Sequence, residues 1–250
     1  ITPLFPPQVG GAATYFSLIT GELKQRGDIE KIVVFSTYYG GARLLEKEGK
    51  MEIWRVLLPT LSAGPTLVVK LTRYAAFLLS LLVTVLYIVS HRVDVVSSHT
   101  IPQYSGGIFA GRLLGVPVVA DLQDLGSKPG LFRRSNRLIC GSRNTLSYAL
   151  RSGYPRERIE FVPLPFVPLE KAESGYIKEV KKKYGVGLSK PLICFLGDIV
   201  EYKGVYELIE AFEIFKERHP NFLLILMGKN REGRKFTNRI RNAKDIIYLG

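Results

Sequence analysis

Short runs that are apolar at consecutive positions recur along the chain, separated by stretches whose apolar residues fall three and four apart. The runs are KIVVFST (31–37), EIWRVLL (52–58), VDVVSSH (93–99), VPVVADL (116–122), RLICGS (137–142) and IEFVPL (159–164). A strand that is apolar on both faces must be covered on both, and this is the signature of a parallel sheet between helical layers. Helical spacing follows Gly10–Gly11, where Tyr15, Phe16, Leu18, Ile19 and Leu23 precede a closing Gly27, and returns over 104–114 and 143–152. The opening ITPLFPP reads as the end of a strand entering a loop. The first part of the chain is therefore expected to be a doubly wound α/β domain.

A crossing with three prolines, VPLPFVPLEKAESG (162–175), interrupts this pattern. Beyond it, PLICFLG (191–197) reads as a strand, 205–218 as a helix with Leu208, Ile209, Phe212 and Phe215 on one face, and NFLLILMG (221–228) as the next strand. The expected division is an N-terminal domain over 1–165, a linker over 166–175 and the first part of a second α/β domain over 176–250. The closing DIIYLG reads as a strand that stops where a loop should start, so both ends look cut.

The 35 basic and 22 acidic residues leave a formal charge of +13 on 250 residues. Such an excess calls for an anionic partner: nucleic acid, a phosphate-bearing small molecule or acidic lipid. Cys140 and Cys194 lie in apolar runs and read as reduced, buried thiols. His91, His99 and His219 are isolated, and no metal-ligand spacing occurs, so no metal is expected.

The stretch YAAFLLSLLVTVLYIV (74–89) is broken only by Ser80 and Thr84. It is short of the ~20 apolar residues of a membrane span. The leading reading is a core helix packed on the sheet. A membrane-surface helix is the alternative, with Lys70 and Arg73 before it and His91 and Arg92 after it to meet lipid headgroups.

Ligands of open α/β sheets bind beyond the carboxyl ends of the strands. Four loops qualify. FPPQVGG (5–11) sets Gly10 and Gly11 at a helix start, where free N–H groups favour an anion, although a Gly-Gly pair also simply makes a turn. The loop after VDVVSS carries His99, Thr100 and Gln103; the loop after VPVVADL carries Gln123, Asp124 and Ser127, with Asp121 placed on a sheet face. A carboxylate at Asp124 suits a general base or a sugar hydroxyl. In LGDIVEYKGVYELIEAF (196–212), Gly197 ends the strand, and Lys203 and Gly204 precede the helix. A lysine beside a helix N-terminus suits a diphosphate.

In their order, FPPxxGG, the strand ending in SSH, VPVV with its polar QD loop, the FVPLPFV crossover and LGDIVEYKGVYELIEAF resemble glycosyltransferase family 4 along the whole chain. Those are retaining sugar transferases of the GT-B fold. The resemblance implies two Rossmann-like domains facing across a cleft, the second incomplete here. It implies a nucleotide-sugar donor held mainly by the C-terminal domain, a sugar, lipid-linked or small-molecule acceptor held mainly by the N-terminal one, and no cofactor. Gly10, Gly11, His99, Gly197, Lys203 and Gly204 then fall to substrate and donor binding, and Gln123 and Asp124 to catalysis.

Three departures from the family stand out. Asp198 occupies the place of an arginine after the strand glycine and is expected to repel phosphate. Gln123 stands where many members have histidine, and the stretch from Asp124 to Arg137 is short. The family's paired glutamates would lie beyond residue 250. A non-catalytic nucleotide-sugar-binding relative therefore stays open. So does a nucleic-acid binder, although the basic runs KEVKKKYG (178–185) and GKNREGRKFTNRIRNAK (228–244) read as solvated helix faces. The expected location is the cytoplasm, peripheral on the cytoplasmic membrane face if the 74–89 helix meets lipid.

Overall fold

Each both-face apolar run carries a strand, and a computed structural model describes residues 1–57, 67–166, 171–187, 189–243 and 245–250. The chain divides into two units, Ile1–Val167 and Pro168–Gly250. Part of the linker expected over 166–175 falls on 167–170, outside the described residues.

The first unit contains α1 (Gly11–Gln25), β1 (Ile32–Thr37), β2 (Leu45–Glu48), β3 (Met51–Val56) and α2 (Leu67–Ser90). These are followed by β4 (Val96–His99), α3 (Gly106–Leu113), β5 (Val118–Leu122), α4 (Pro129–Phe132), β6 (Arg137–Cys140), α5 (Arg143–Arg151) and β7 (Ile159–Phe161). Strands β4, β5, β6 and β7 form one parallel sheet in that order, and β1 pairs parallel with β3 in another. Ile1 and Thr2 run between the two sheets: Thr2 N–H donates to the Phe35 carbonyl and His99 N–H to the Ile1 carbonyl, both at 3.0 Å. The register sets His99 opposite Asp121 on neighbouring strands, so both side chains leave the sheet at one level.

One strand was not visible as an apolar run. β2, with the sequence LEKE, pairs antiparallel to β3 across a turn at Gly49 and Lys50, and as a largely solvated edge it needs no apolar face. The short stretch after Asp124 is filled by α4, whose Phe132 is fully buried with Ile108, Leu122 and Leu138 in the main core. Burying that ring contributes roughly 2–3 kcal/mol.

The core-helix reading of 74–89 requires correction. α2 does pack on α3 and on the turn at Pro102–Tyr104, but through a narrow strip of small residues: Ala76, Ser80 and Thr84 are its buried positions there. The approach is close because α3 offers glycine: a Cβ on Gly106 would fall 2.3 Å from the Leu81 backbone nitrogen. The opposite, leucine-rich face is exposed.

The second unit contains α6 (Ser174–Lys183), β8 (Leu192–Leu196), α7 (Val205–Arg218), β9 (Leu223–Met227), α8 (Arg234–Ile240) and β10 (Ile246–Leu249). Its sheet is parallel in the order β10, β9, β8. Ile209 and Phe212 of α7 and Phe236 of α8 pack with Leu224 and Leu226 on one face. On the other face Leu223 and Ile225 meet Val186, while Leu196 remains 83% exposed. Two expectations fail on this uneven cover. Cys194 is exposed, unlike the buried Cys140. The basic run at 178–185 is not backed by a buried apolar side: α6 begins within the expected linker and buries none of its side chains.

Candidate functional site

Within the first unit, the start of α1 lies over the carboxyl ends of β4 and β5. Gly10 is the N-cap of α1 and Gly11 its first residue, and no side chain caps that end. Four residues on, Tyr15 donates a hydrogen bond to Oδ2 of Asp121. The next residue, Phe16, meets the His99 ring edge-on at 5.8 Å. Thr100 Oγ1 pairs with Ser127 Oγ at 2.8 Å, tying the loop after β4 to the loop after β5.

His99 and Asp121 are buried to 1% and 2% exposure. Among the described residues, the His99 ring nitrogens, Asp121 Oδ1 and Gln123 Nε2 make no hydrogen bond of good geometry, although the Gln123 side chain lies near enough to both His99 and Asp121 to act on their ionisation. These three side chains form one polar cluster at the ends of β4 and β5. Burial holds the His99 imidazole down at about 4. Burial also pushes the Asp121 carboxyl up to about 6, against the opposing pull of the Tyr15 hydrogen bond. The Tyr15 phenol is raised by burial and by the same carboxylate. Both His99 and Asp121 are therefore neutral between these values. Asp124 is exposed in the loop beyond β5, near enough to His99 to act on it electrostatically.

The second unit assembles a different chemistry. Gly197 and Gly228 end β8 and β9 and touch: a Cβ on Gly228 would sit 2.1 Å from the Gly197 carbonyl oxygen, so only glycine fits there. The Lys203 chain folds back over this end, with Nζ 3.6 Å from where a Gly197 Cβ would be. Gly204 caps α7, whose first N–H groups have no intrahelical acceptor. Lys203 has no ion-pair partner among the described residues, although Lys235 pairs with Glu201 at 2.7 Å and Arg239 with Glu213 at 2.6 Å.

Asp198, expected to repel phosphate, does not stand alone. Arg231, in the loop after β9, reaches Asp198 with Nε 3.1 Å from Oδ2. The ion pair is half exposed and brings a guanidinium beside the carboxylate.

The units thus group the expected residues in two sets: Gly10, Gly11, His99, Gln123 and Asp124 in the first, Gly197, Lys203 and Gly204 in the second. Sequence reading did not assign Tyr15, Asp121 or Arg231 to a site. A lone carboxylate inside VVADL was the available signal for Asp121; nothing in the sequence marks Tyr15 or Arg231 as its partners. Among the described residues, no group of three His, Cys, Asp or Glu is arranged to hold a metal ion.

The family model described as glycosyl transferase 4-like domain matches residues 10–165, more than half of the chain. The chain belongs to that family. A second model, glycosyl transferases group 1, matches residues 177–245 of this glycosyl transferase 4-like chain. No curated protein matches it. Among solved structures, Anabaena HepE in complex with UDP-glucose is similar at 19% identity and a TM-score of 0.58, over 68% of this chain and 51% of that one. A glycosyltransferase from Rickettsia africae is similar at 15% identity and a TM-score of 0.65, over 98% of this chain and 66% of that one. A UDP-forming trehalose-phosphate synthase from Burkholderia xenovorans, in complex with glucose-6-phosphate, gives 13%, 0.65, 99% and 73%. In that match the glycosyl transferase 4-like chain spans about half of the length of HepE, and in the match to HepE with UDP and glucose it spans 67%. At these identities the likeness shows the fold, the Rossmann-like α/β architecture of GT-B glycosyltransferases.

Proposed function

We propose that the chain transfers a sugar from a nucleotide-sugar donor to a hydroxyl acceptor with retention of anomeric configuration. The observation that carries this reading is the unpaired Lys203 lying over the joined ends of β8 and β9, beside the uncapped start of α7. As the glycosidic bond breaks, negative charge gathers on the departing diphosphate. A lysine and free helix N–H groups aimed at that charge stabilise the transition state more than the ground state. Arg231 supplies a second cation at the same strand ends. The reading assigns the charge to these groups rather than to a metal ion.

The first unit's role in this reading is to hold the acceptor. His99, Asp121 and Gln123 form a polar cluster that suits sugar hydroxyls. Asp124, exposed in the loop beyond β5, takes the proton of the attacking hydroxyl. UDP is the leading nucleotide, since the HepE and trehalose-phosphate synthase structures are of UDP-linked proteins.

Calorimetric titration with UDP-, GDP- and ADP-sugars tests the reading. Saturable binding of one of them supports it; binding of none overturns it. If donor binds, proton NMR of the product formed with a sugar acceptor reports the anomeric outcome. An inverted product refutes retention, and binding without turnover across acceptors points to the non-catalytic relative instead. A nucleic-acid role is disfavoured by Lys235 and Arg239, whose charges are engaged by carboxylates.

A further inference from the structure

The outer face of α2 is apolar from end to end. Leu71, Tyr74, Leu78, Leu82, Leu86 and Val89 recur at spacings of three and four, and each is more than half exposed. The helix carries no acidic residue, and its only charged residues are Lys70 and Arg73. Over 24 residues it runs about 36 Å. By length and composition it is apolar enough to cross a bilayer, with a mean hydropathy of 1.8. Its inner face is nonetheless occupied: Ala76, Ser80 and Thr84 are buried, and Ser80 Oγ donates to the Gln103 carbonyl at 3.2 Å. β3 and β4, on either side of it in the chain, belong to the same unit. A helix held along one side by its own unit offers a surface only one face, which requires it to lie in the plane of that surface.

We propose that α2 lies flat in the headgroup region of an anionic bilayer, immersing its leucine stripe and docking the first unit on the membrane. The charges around the stripe select this occupant. Lys70 and Arg73 are exposed at one end, and His91 and Arg92 at the other. Arg134 stacks over Phe109 at 4.9 Å, and Phe109 packs on Phe77 of α2 at 5.3 Å, so a further guanidinium stands along one flank. Asp94, 3.6 Å from Arg92, is the acid nearest this rim in sequence. An apolar stripe with a cationic border is the pattern of an interfacial helix on acidic lipid. A docking face for a second copy of this basic chain would set like charges against each other. The inference is independent of the glycosyl-transfer reading.

The test is co-sedimentation with vesicles of phosphatidylcholine alone and of phosphatidylcholine with phosphatidylglycerol. The protein is expected to bind the anionic vesicles and to bind neutral ones at least about tenfold more weakly. L78Q/L82Q, on the solvent side of the helix, should keep the thermal melt and lose about tenfold or more of vesicle binding. K70E/R73E should lose binding to anionic vesicles only. Absence of binding to anionic vesicles, or binding unaffected by L78Q/L82Q, overturns the proposal. So does sedimentation velocity showing a lipid-free dimer that L78Q/L82Q dissociates, because the stripe would then cover a second copy.

Discussion

Tyr15, one turn into α1, donates its phenolic hydrogen to Oδ2 of Asp121, a carboxyl buried at the end of β5 and 106 residues away in sequence. This contact ties the helix that starts at Gly10–Gly11 to the strand that leads into Gln123 and Asp124. The position of the helix start relative to those loops depends on it.

Replacing Tyr15 by phenylalanine keeps the ring and removes the donor. A buried carboxyl that loses its partner costs about 1–3 kcal/mol. Urea unfolding of Y15F should show that loss, with the Asp121 carboxyl titrating further above 6 because the hydrogen bond had been pulling it down. An unchanged midpoint would mean that the pair does not hold α1.

The pH dependence of stability separates Asp121 from His99. Asp121 is raised from 3.8 to about 6. Between those values the folded state holds a proton that the unfolded state has released, so this group makes stability fall as pH rises. His99 is lowered from 6.5 to about 4. There the unfolded state binds the extra proton, so this group makes stability rise with pH. In the native protein the two slopes oppose each other. Asp121→Asn should leave His99 unopposed and lose roughly 3 kcal/mol between pH 6.5 and 4, whereas His99→Asn should be most stable near pH 4 and weaken toward pH 6. Denaturant titrations across this range check both signs.

The two cysteines should differ sharply in reactivity. Cys194 is exposed on β8, while Cys140 is buried and burial pushes its thiol up to about 11. A chromogenic thiol reagent should modify one cysteine per folded chain at neutral pH and both after denaturation. Two fast-reacting thiols in the folded protein would contradict the packing of β6.

How much of this was legible in the sequence depends on which physical signal each part leaves. Runs such as VPVVADL and NFLLILMG are continuous and apolar because central parallel strands are covered on both faces, and that pattern survives without any tertiary knowledge. LEKE at β2 left no such trace, because an edge strand is specified by its partner β3 and by the turn at Gly49. The same rule misplaced Cys194: β8 is apolar in sequence yet thinly covered on one face. Gly197, Lys203 and Gly204 were readable since they adjoin one strand end in sequence. The partnerships of Tyr15 with Asp121 and of Arg231 with Asp198 span 106 and 33 residues, and single-sequence spacing carries no information about them.

Arg231 and Asp198 give a graded test of the proposed phosphate site. Their ion pair is half exposed, so its own contribution is small. Asp198→Asn frees the guanidinium and should tighten UDP binding roughly threefold, while Arg231→Met should weaken it. Equal affinities in calorimetry would remove Arg231 from the donor site.

Lys203 carries the central claim, that the second unit binds the diphosphate of a nucleotide-sugar. Calorimetric titration of UDP into the protein and into Lys203→Met tests it directly. Lys203 is a surface side chain over a strand end, so its replacement should leave the fold unchanged. Loss of one charge-assisted contact predicts saturable binding to the native protein and about a tenfold or greater rise in Kd for the variant. Identical affinity in the two proteins would contradict the account.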